Sequence, residues 1–317
     1  MDTLDCSRRY FLATTGAIAV AALLAPRAAV GQSWRQGTKL VLLGTMAGPV
    51  LAKHRMMAGQ AIFVDGRGYL VDCGYGTVER LTQLGIRPPQ IEAVFVTHHH
   101  SDHNADYANL IHLAWIQGIP GEIRVYGPPP MKAINAAAIA VHKEDVGIRI
   151  KATGRKPMET LIKVEEITAP GLVHQDDRVK VTAALVDHPP FAHAFGFRFD
   201  TRERSIVVSG DTKPSPNLIQ LAKGADVLVH EAMYEPAIDK MLAKRPYVPP
   251  RLKQFLMDGH TSAEDSGRIA AQAGVKTLVL SHLLPGDDLE LPDEVWRSEA
   301  AKHFRGEIIV GRDLMVI

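Results

Sequence analysis

Val94-Phe95-Val96-Thr97-His98-His99-His100-Ser101-Asp102-His103 is the stretch on which the fold turns. Its first half is β-branched and aromatic, the composition of a buried strand. Its second half sets four imidazoles and a carboxylate within six residues. Such a run is a poor core, because protonated imidazoles repel one another and neutral ones need polar partners. A surface patch is also a poor account, since the run leaves a buried strand directly. Neutral imidazole and carboxylate oxygen are both good zinc ligands. In an extended segment His98 and His100 point to one side and His99 to the other. As the chain turns into a helix, Asp102 and His103 then face a second metal position beside the first.

Working outward, apolar runs of strand length recur over residues 40–43, 61–64, 69–71, 91–96, 123–126, 179–186, 195–199, 206–208, 227–229, 277–280 and 308–310. Helical patterns over 77–84, 105–117, 131–142, 216–222, 263–273 and 294–303 fall between some of them. The early strands follow one another closely, as in hairpins, and the later ones alternate with helices. This mixture predicts an α/β (α+β) chain of two sheets with helices outside them, rather than one doubly wound sheet. Residues 143–170 and 234–259 show no sustained period and read as loops. Pro236, Pro246, Pro249 and Pro250 break any long helix in the second. The turn Gly44–Pro49 lacks the Lys-Ser/Thr of a phosphate loop and reads as a tight strand exit.

The chain has 317 residues, 46% of them apolar, and a net charge of +1, which excludes a disordered chain and weighs against a general nucleic-acid binder. Two cysteines, Cys6 and Cys73, exclude a disulfide scaffold and any four-thiolate zinc site. The N-terminus reads Ser7-Arg8-Arg9-Tyr10-Phe11-Leu12, then a short apolar run, then Ala29-Val30-Gly31. It resembles a bacterial twin-arginine export signal, with Ala13 where Lys is common. The expected organisation is therefore a signal peptide over 1–31 and one catalytic domain over 32–317. Cleavage near Gln32 would leave no membrane anchor and a periplasmic or secreted protein.

Thr97-His98-x-His100-x-Asp102-His103 resembles the H-x-H-x-D-H signature of the metallo-β-lactamase superfamily. Further landmarks match in order. They are Asp72 in Leu70-Val71-Asp72-Cys73-Gly74, His188 after Leu185-Val186-Asp187, Asp211 in Ser209-Gly210-Asp211-Thr212, and His282 after Leu280-Ser281. The resemblance implies a four-layer αββα sandwich around two zinc ions, with manganese or iron as alternatives. His98, His100 and His188 would bind one ion, Asp102, His103 and His282 the other, with Asp211 bridging. Asp72 would support the site from behind. His230-Glu231-Ala232-Met233 and Gly259-His260-Thr261-Ser262 are similar to the arylsulfatase-like and tRNA 3′-processing branches, in which His260 would be the proton donor. His260 and Asp102 are thus the candidate catalytic residues.

The leading expectation is a periplasmic hydrolase of a small ester, arylsulfatase-like or phosphoester, using a metal-bridging hydroxide. The alternatives are a tRNase Z-like phosphodiesterase, a lactonase or β-lactamase, remotely a dehalogenase of activated aromatics, and a metal-binding protein without catalysis. The export signal and the lack of a Gly- and Lys-rich arm weigh against a nucleic-acid partner. Expected partners are a small ester substrate and the twin-arginine export machinery, with a homodimer compatible. Arg245, Arg251 and Lys253 read equally as an anion-steering group and as a solvated loop. Trp115, Phe191, Tyr234 and Tyr247 read as core, with a pocket lining as the alternative. His193 is left open, and His230 is expected to bond near Asp211.

Overall fold

A computed structural model describes Trp34, residues 36–245, Tyr247 and residues 249–317. The export signal expected over residues 1–31 lies outside the described residues. The first sheet opens with an antiparallel meander of β1 (Thr38–Gly44), β2 (Gly59–Val64) and β3 (Arg67–Val71). It continues in parallel through β4 (Ile91–Phe95), β5 (Ile123–Gly127) and β6 (Ile162–Glu166). The second sheet begins antiparallel with β7 (Gly171–Gln175), β8 (Val179–Val186), β9 (Ala194–Thr201) and β10 (Ser205–Val208). It ends parallel with β11 (Val227–Met233), β12 (Thr277–Leu284) and β13 (Glu307–Val310).

The two sheets face each other, and each is backed by helices. The strand period of two explains the layering. In β1, Leu40 and Leu42 point between the sheets, where they meet Phe95, Phe197 and Phe199. Val41 and Leu43 point outward, to a core shared with the helical side chains Leu81, Leu110 and Trp115. These helical residues lie on α1 (Thr77–Gln83) and, past the short α2 (Ser101–Asn104), on α3 (Tyr107–Gln117). With both faces covered, the central strands read as continuous apolar runs. The outer face of the second sheet carries α6 (Pro216–Ala222), α9 (Ala263–Ala273) and α10 (Asp293–Ala301), through Leu218, Ile269 and Trp296. This is the αββα sandwich that the resemblance implied.

The two stretches read as loops contain regular structure. Residues 143–170 hold α5 (Lys143–Thr153), which follows α4 (Met131–Val141), and then β6. Charge placement supports α5 where an apolar face does not. Glu144 and Asp145 lie in its first turn, Lys151 in its last, and Asp145 pairs with Arg149 one turn on at 2.7 Å. Residues 234–259 fold into α7 (Ile238–Ala243) and α8 (Leu252–Gly259), short helices whose separation agrees with the proline spacing. No helix among the described residues is long and apolar enough to cross a membrane.

Candidate metal centre

The carboxyl ends of the inner strands converge at one rim of the sandwich. β4 delivers His98 and His100, and α2 then presents Asp102 and His103. His188 follows β8, Asp211 follows β10, Glu231 lies in β11, and His282 lies in β12. His260 sits between α8 and α9. Ser262 caps α9, its hydroxyl accepting from the Asp265 N–H at 3.0 Å, and this fixes the turn that carries His260. Two backbone positions are forced. Asp72 and His282 have φ of 59° and 46°, a left-handed region that costs a non-glycine residue energy and that clusters at functional sites.

The seven residues expected as ligands fall into one group. His98, His100, His188 and Asp211 offer converging ligand atoms, as do Asp102, His103 and His282. On the first side, His98 Nε2 and His188 Nε2 lie 3.0 and 3.2 Å from His100 Nδ1, and 3.7 and 3.9 Å from Asp211 Oδ2. On the second side, His103 Nε2 and His282 Nε2 lie 3.3 and 3.4 Å from Asp211 Oδ2, and 3.5 and 3.3 Å from Asp102 Oδ2. Asp211 Oδ2 therefore faces both groups.

These residues fit a pair of metal ions. With metal–ligand bonds of about 2.0–2.1 Å, the ligand atoms of a tetrahedral site stand about 3.3 Å apart, inside the observed range. Imidazole nitrogens turned toward each other at 3.0 Å share at most one proton, so a cation between them relieves the lone-pair crowding. Asp211 Oδ1 and His103 Nε2 are buried without a hydrogen-bond partner among the described residues. Three outer nitrogens are occupied, which fixes which nitrogen of those rings faces inward, while His282 Nδ1 has no partner among the described residues. His98 Nδ1 meets the Thr97 hydroxyl at 3.0 Å, His103 Nδ1 donates to Asp72 Oδ2 at 2.7 Å, and His188 Nδ1 donates to the Gly259 carbonyl at 2.7 Å. Asp72 also accepts from the Thr97 N–H and hydroxyl at 2.8 and 2.9 Å. It sits behind the site, as the resemblance implied.

Electrostatics follow the same division. Burial and the neighbouring His188 push His100 down to about 4, and burial holds His98 well below its ordinary value. Both are therefore neutral and able to ligate at pH 7. For Asp102, burial pushes the pKa up, but the His103 and His282 rings outweigh it and hold the carboxyl at about 2. Its Oδ2 also accepts the Gly48 N–H at 2.9 Å. The turn Gly44–Pro49, read as a mere strand exit, thus reaches the site through its backbone.

Glu231 is the residue that sequence reasoning quoted in a motif but gave no role. Its Oε2 accepts from His260 Nδ1 at 2.7 Å, and its Oε1 accepts the Thr212 N–H at 2.6 Å. Burial lowers the His260 pKa, but the Glu231 charge and hydrogen bond, with Asp211 behind them, outweigh it and raise it to about 9. His260 also stands within ligand reach of Asp211 and His282. A ring that carries its proton at pH 7 has one to give, so the pairing with Glu231 suits proton donation.

His230 is a fully buried structural residue whose Nδ1 meets the carbonyl of Glu231, at 2.7 Å. His99 points away, to the Pro128 carbonyl at 2.7 Å. His193 stacks beside Phe195 at 6.5 Å. Trp115 is core and Tyr234 packs on Trp296, while Tyr247 is 98% exposed. Phe191 is the exception, with its ring 4.6 Å from that of His100 and 5.1 Å from that of His98.

A sandwich of this topology with clustered His and Asp ligands at its rim defines a class of metal-dependent hydrolases. The chain matches the β-lactamase superfamily domain over residues 67–283. It is 32% identical over 281 residues to the ribonuclease Z of Mycobacterium bovis (strain BCG / Pasteur 1173P2), covering 87% of this chain and 96% of that protein. The metallo-β-lactamase fold protein YhfI from Bacillus subtilis superposes with a TM-score of 0.64 at 22% identity, over 88% of this chain and 98% of that one. The short form of human tRNase Z superposes with a TM-score of 0.61 at 21% identity, over the same shares. The chain belongs to the metallo-β-lactamase superfamily and is a metal-dependent hydrolase of its tRNase Z-like branch.

Proposed function

We propose that the protein is a two-metal phosphodiesterase that cleaves RNA, in the manner the name ribonuclease Z states for its relatives. The small-ester reading led from sequence alone. The names of the relatives now put the phosphodiester alternative ahead of it. The observation that carries the proposal is the His260–Glu231 pair, 2.7 Å apart and buried beside Asp211. An acid that stays protonated at neutral pH matters most when the departing oxygen is a poor leaving group. A ribose hydroxyl is poorer than the aryl oxide of an aryl sulfate or activated ester.

His98, His100 and His188 would hold one ion and Asp102, His103 and His282 the other, with Asp211 shared. Bound divalent ions supply Lewis acidity and a nucleophilic water at neutral pH; zinc suits this donor set, and manganese or iron are accepted by it. His260 holds its proton through Glu231 and gives it to the departing oxygen. Asp72 and Thr97 keep His98 and His103 in orientation. Export through the twin-arginine route rests on the N-terminal sequence, the Arg8-Arg9 motif with the apolar run and Ala29-Val30-Gly31 after it, and is proposed separately.

The test is a substrate panel on the metal-loaded protein: a hairpin RNA with a 3′ extension, a phosphodiester series of graded leaving groups, an aryl sulfate, a lactone and a β-lactam. The proposal expects RNA cleavage and phosphodiester turnover. It also expects His260→Ala to lose most on the poorest leaving groups. Turnover of aryl sulfate with no phosphodiester activity would overturn it and restore the small-ester reading.

A further inference from the structure

α8 ends against the metal centre and carries a face that the ligand set does not use. Gly259, its last residue, accepts from His188 Nδ1 at 2.7 Å, and a Cβ added there would lie 3.4 Å from His188 Cε1. One turn back on the same face is Phe255, and one turn further is Arg251, each step about 6 Å along the axis. The Phe255 N–H donates to the Arg251 carbonyl at 3.0 Å, so the helical spacing holds between them. Leu256 and Met257 turn the other way and pack with Ile238, Met241 and Leu284.

Phe255 is left out of that core. It is 39% exposed, and its ring stands 6.1 Å from that of His100 at an angle of 72°. Phe191 flanks the same imidazole at 4.6 Å. Two phenyl rings thus stand at the open side of one ligand histidine, and His100 is itself only partly buried. Neighbouring cations are neutralised, Arg245 by Asp287 at 2.8 Å and Lys253 by Asp239 at 2.7 Å. Arg251 is exposed and has no ion pair among the described residues.

We propose that Phe255, backed by Phe191, stacks the nucleobase next to the scissile phosphodiester, and that Arg251 holds the following phosphate of the same strand. Every base presents a π-face, so such a platform grips single-stranded ends without reading sequence. The inference rests on the phosphodiesterase reading. It adds a subsite for one extended nucleotide beside the metals.

The test compares two short oligoribonucleotides, one intact and one abasic at the nucleotide beside the scissile bond. Binding is read by fluorescence anisotropy on chelator-treated protein and cleavage on metal-loaded protein. Phe255→Ala is expected to weaken binding of the intact strand about 5- to 100-fold and to bring the intact-to-abasic ratio close to one. Phe255→Trp is expected to keep the ratio, which guards against misfolding as the cause. Arg251→Gln is expected to weaken both strands and to reduce the salt dependence by about one phosphate contact. RNA cleavage with an unchanged ratio in Phe255→Ala would overturn the subsite and leave the phosphodiesterase reading intact. A wild-type protein that neither binds nor cleaves either strand overturns that reading, and the subsite with it.

Discussion

Replacing Glu231 by Gln tests the proton-donor assignment while keeping shape. The amide oxygen still accepts the Thr212 N–H now bonded at 2.6 Å. What disappears is the charge facing His260, whose Nδ1 lies 2.7 Å from the carboxylate with both side chains buried. With charge centres about 4 Å apart and an effective dielectric near 20, that carboxylate stabilises the imidazolium by about 4 kcal/mol. At about 1.4 kcal/mol per pKa unit this is about three units. His260, raised to about 9 in the parent, should therefore fall to about 6. The alkaline limb of kcat/KM reports the acid in the free enzyme. In Glu231→Gln it should move down by two to three units, with a loss of about 10²–10⁴ on poor leaving groups at pH 8 and little on good ones. An alkaline limb within about half a unit of the parent's would show that the acid lies elsewhere.

Asp72→Asn removes the charged acceptor of His103 Nδ1–H and loosens Thr97. Metal affinity measured by chelator competition should drop about 10- to 100-fold, and an unchanged affinity would deny Asp72 its supporting role. In chelator-stripped protein, two opposite shifts shape stability. His260, raised to about 9, contributes fully below its ordinary 6.5 and loses that contribution as pH rises through about 9. His100, lowered to about 4, contributes fully above 6.5 and loses it as pH falls through about 4. The thermal midpoint should peak between those limits, and a midpoint still climbing at pH 9 would contradict the His260 environment. N-terminal sequencing of exported protein should begin near Gln32; a start at Met1 would remove the signal peptide from the account.

The landmarks legible in the sequence were those that chemistry makes conspicuous. His98, His100, Asp102, His103, His188, Asp211 and His282 are polar residues at the ends of apolar strands, and the structure gathers all of them. What escaped had weaker local signals. β6 is an edge strand with alternating exposure, and Lys163, Glu165 and Glu166 mask its apolar positions. β7 sits at the edge of the other sheet with none of its residues fully buried. Glu231 did carry a readable signal. An acidic residue inside the fully buried strand Val227–Met233 requires a charged or donor partner, and His260 is that partner. The Gly48 contact was invisible because a backbone N–H has no sequence signature. The placement of Phe255 depends on how α8 meets His188, which no spacing along the chain encodes.

Metal stoichiometry tests the central claim most directly. Protein purified without chelator and analysed by inductively coupled plasma mass spectrometry should carry two divalent ions per chain. Stepwise chelation should remove hydrolysis together with the ions, and restoring the metal should restore it. Full hydrolysis by protein holding no ions would contradict the account, and so would at most one ion per chain under saturating metal.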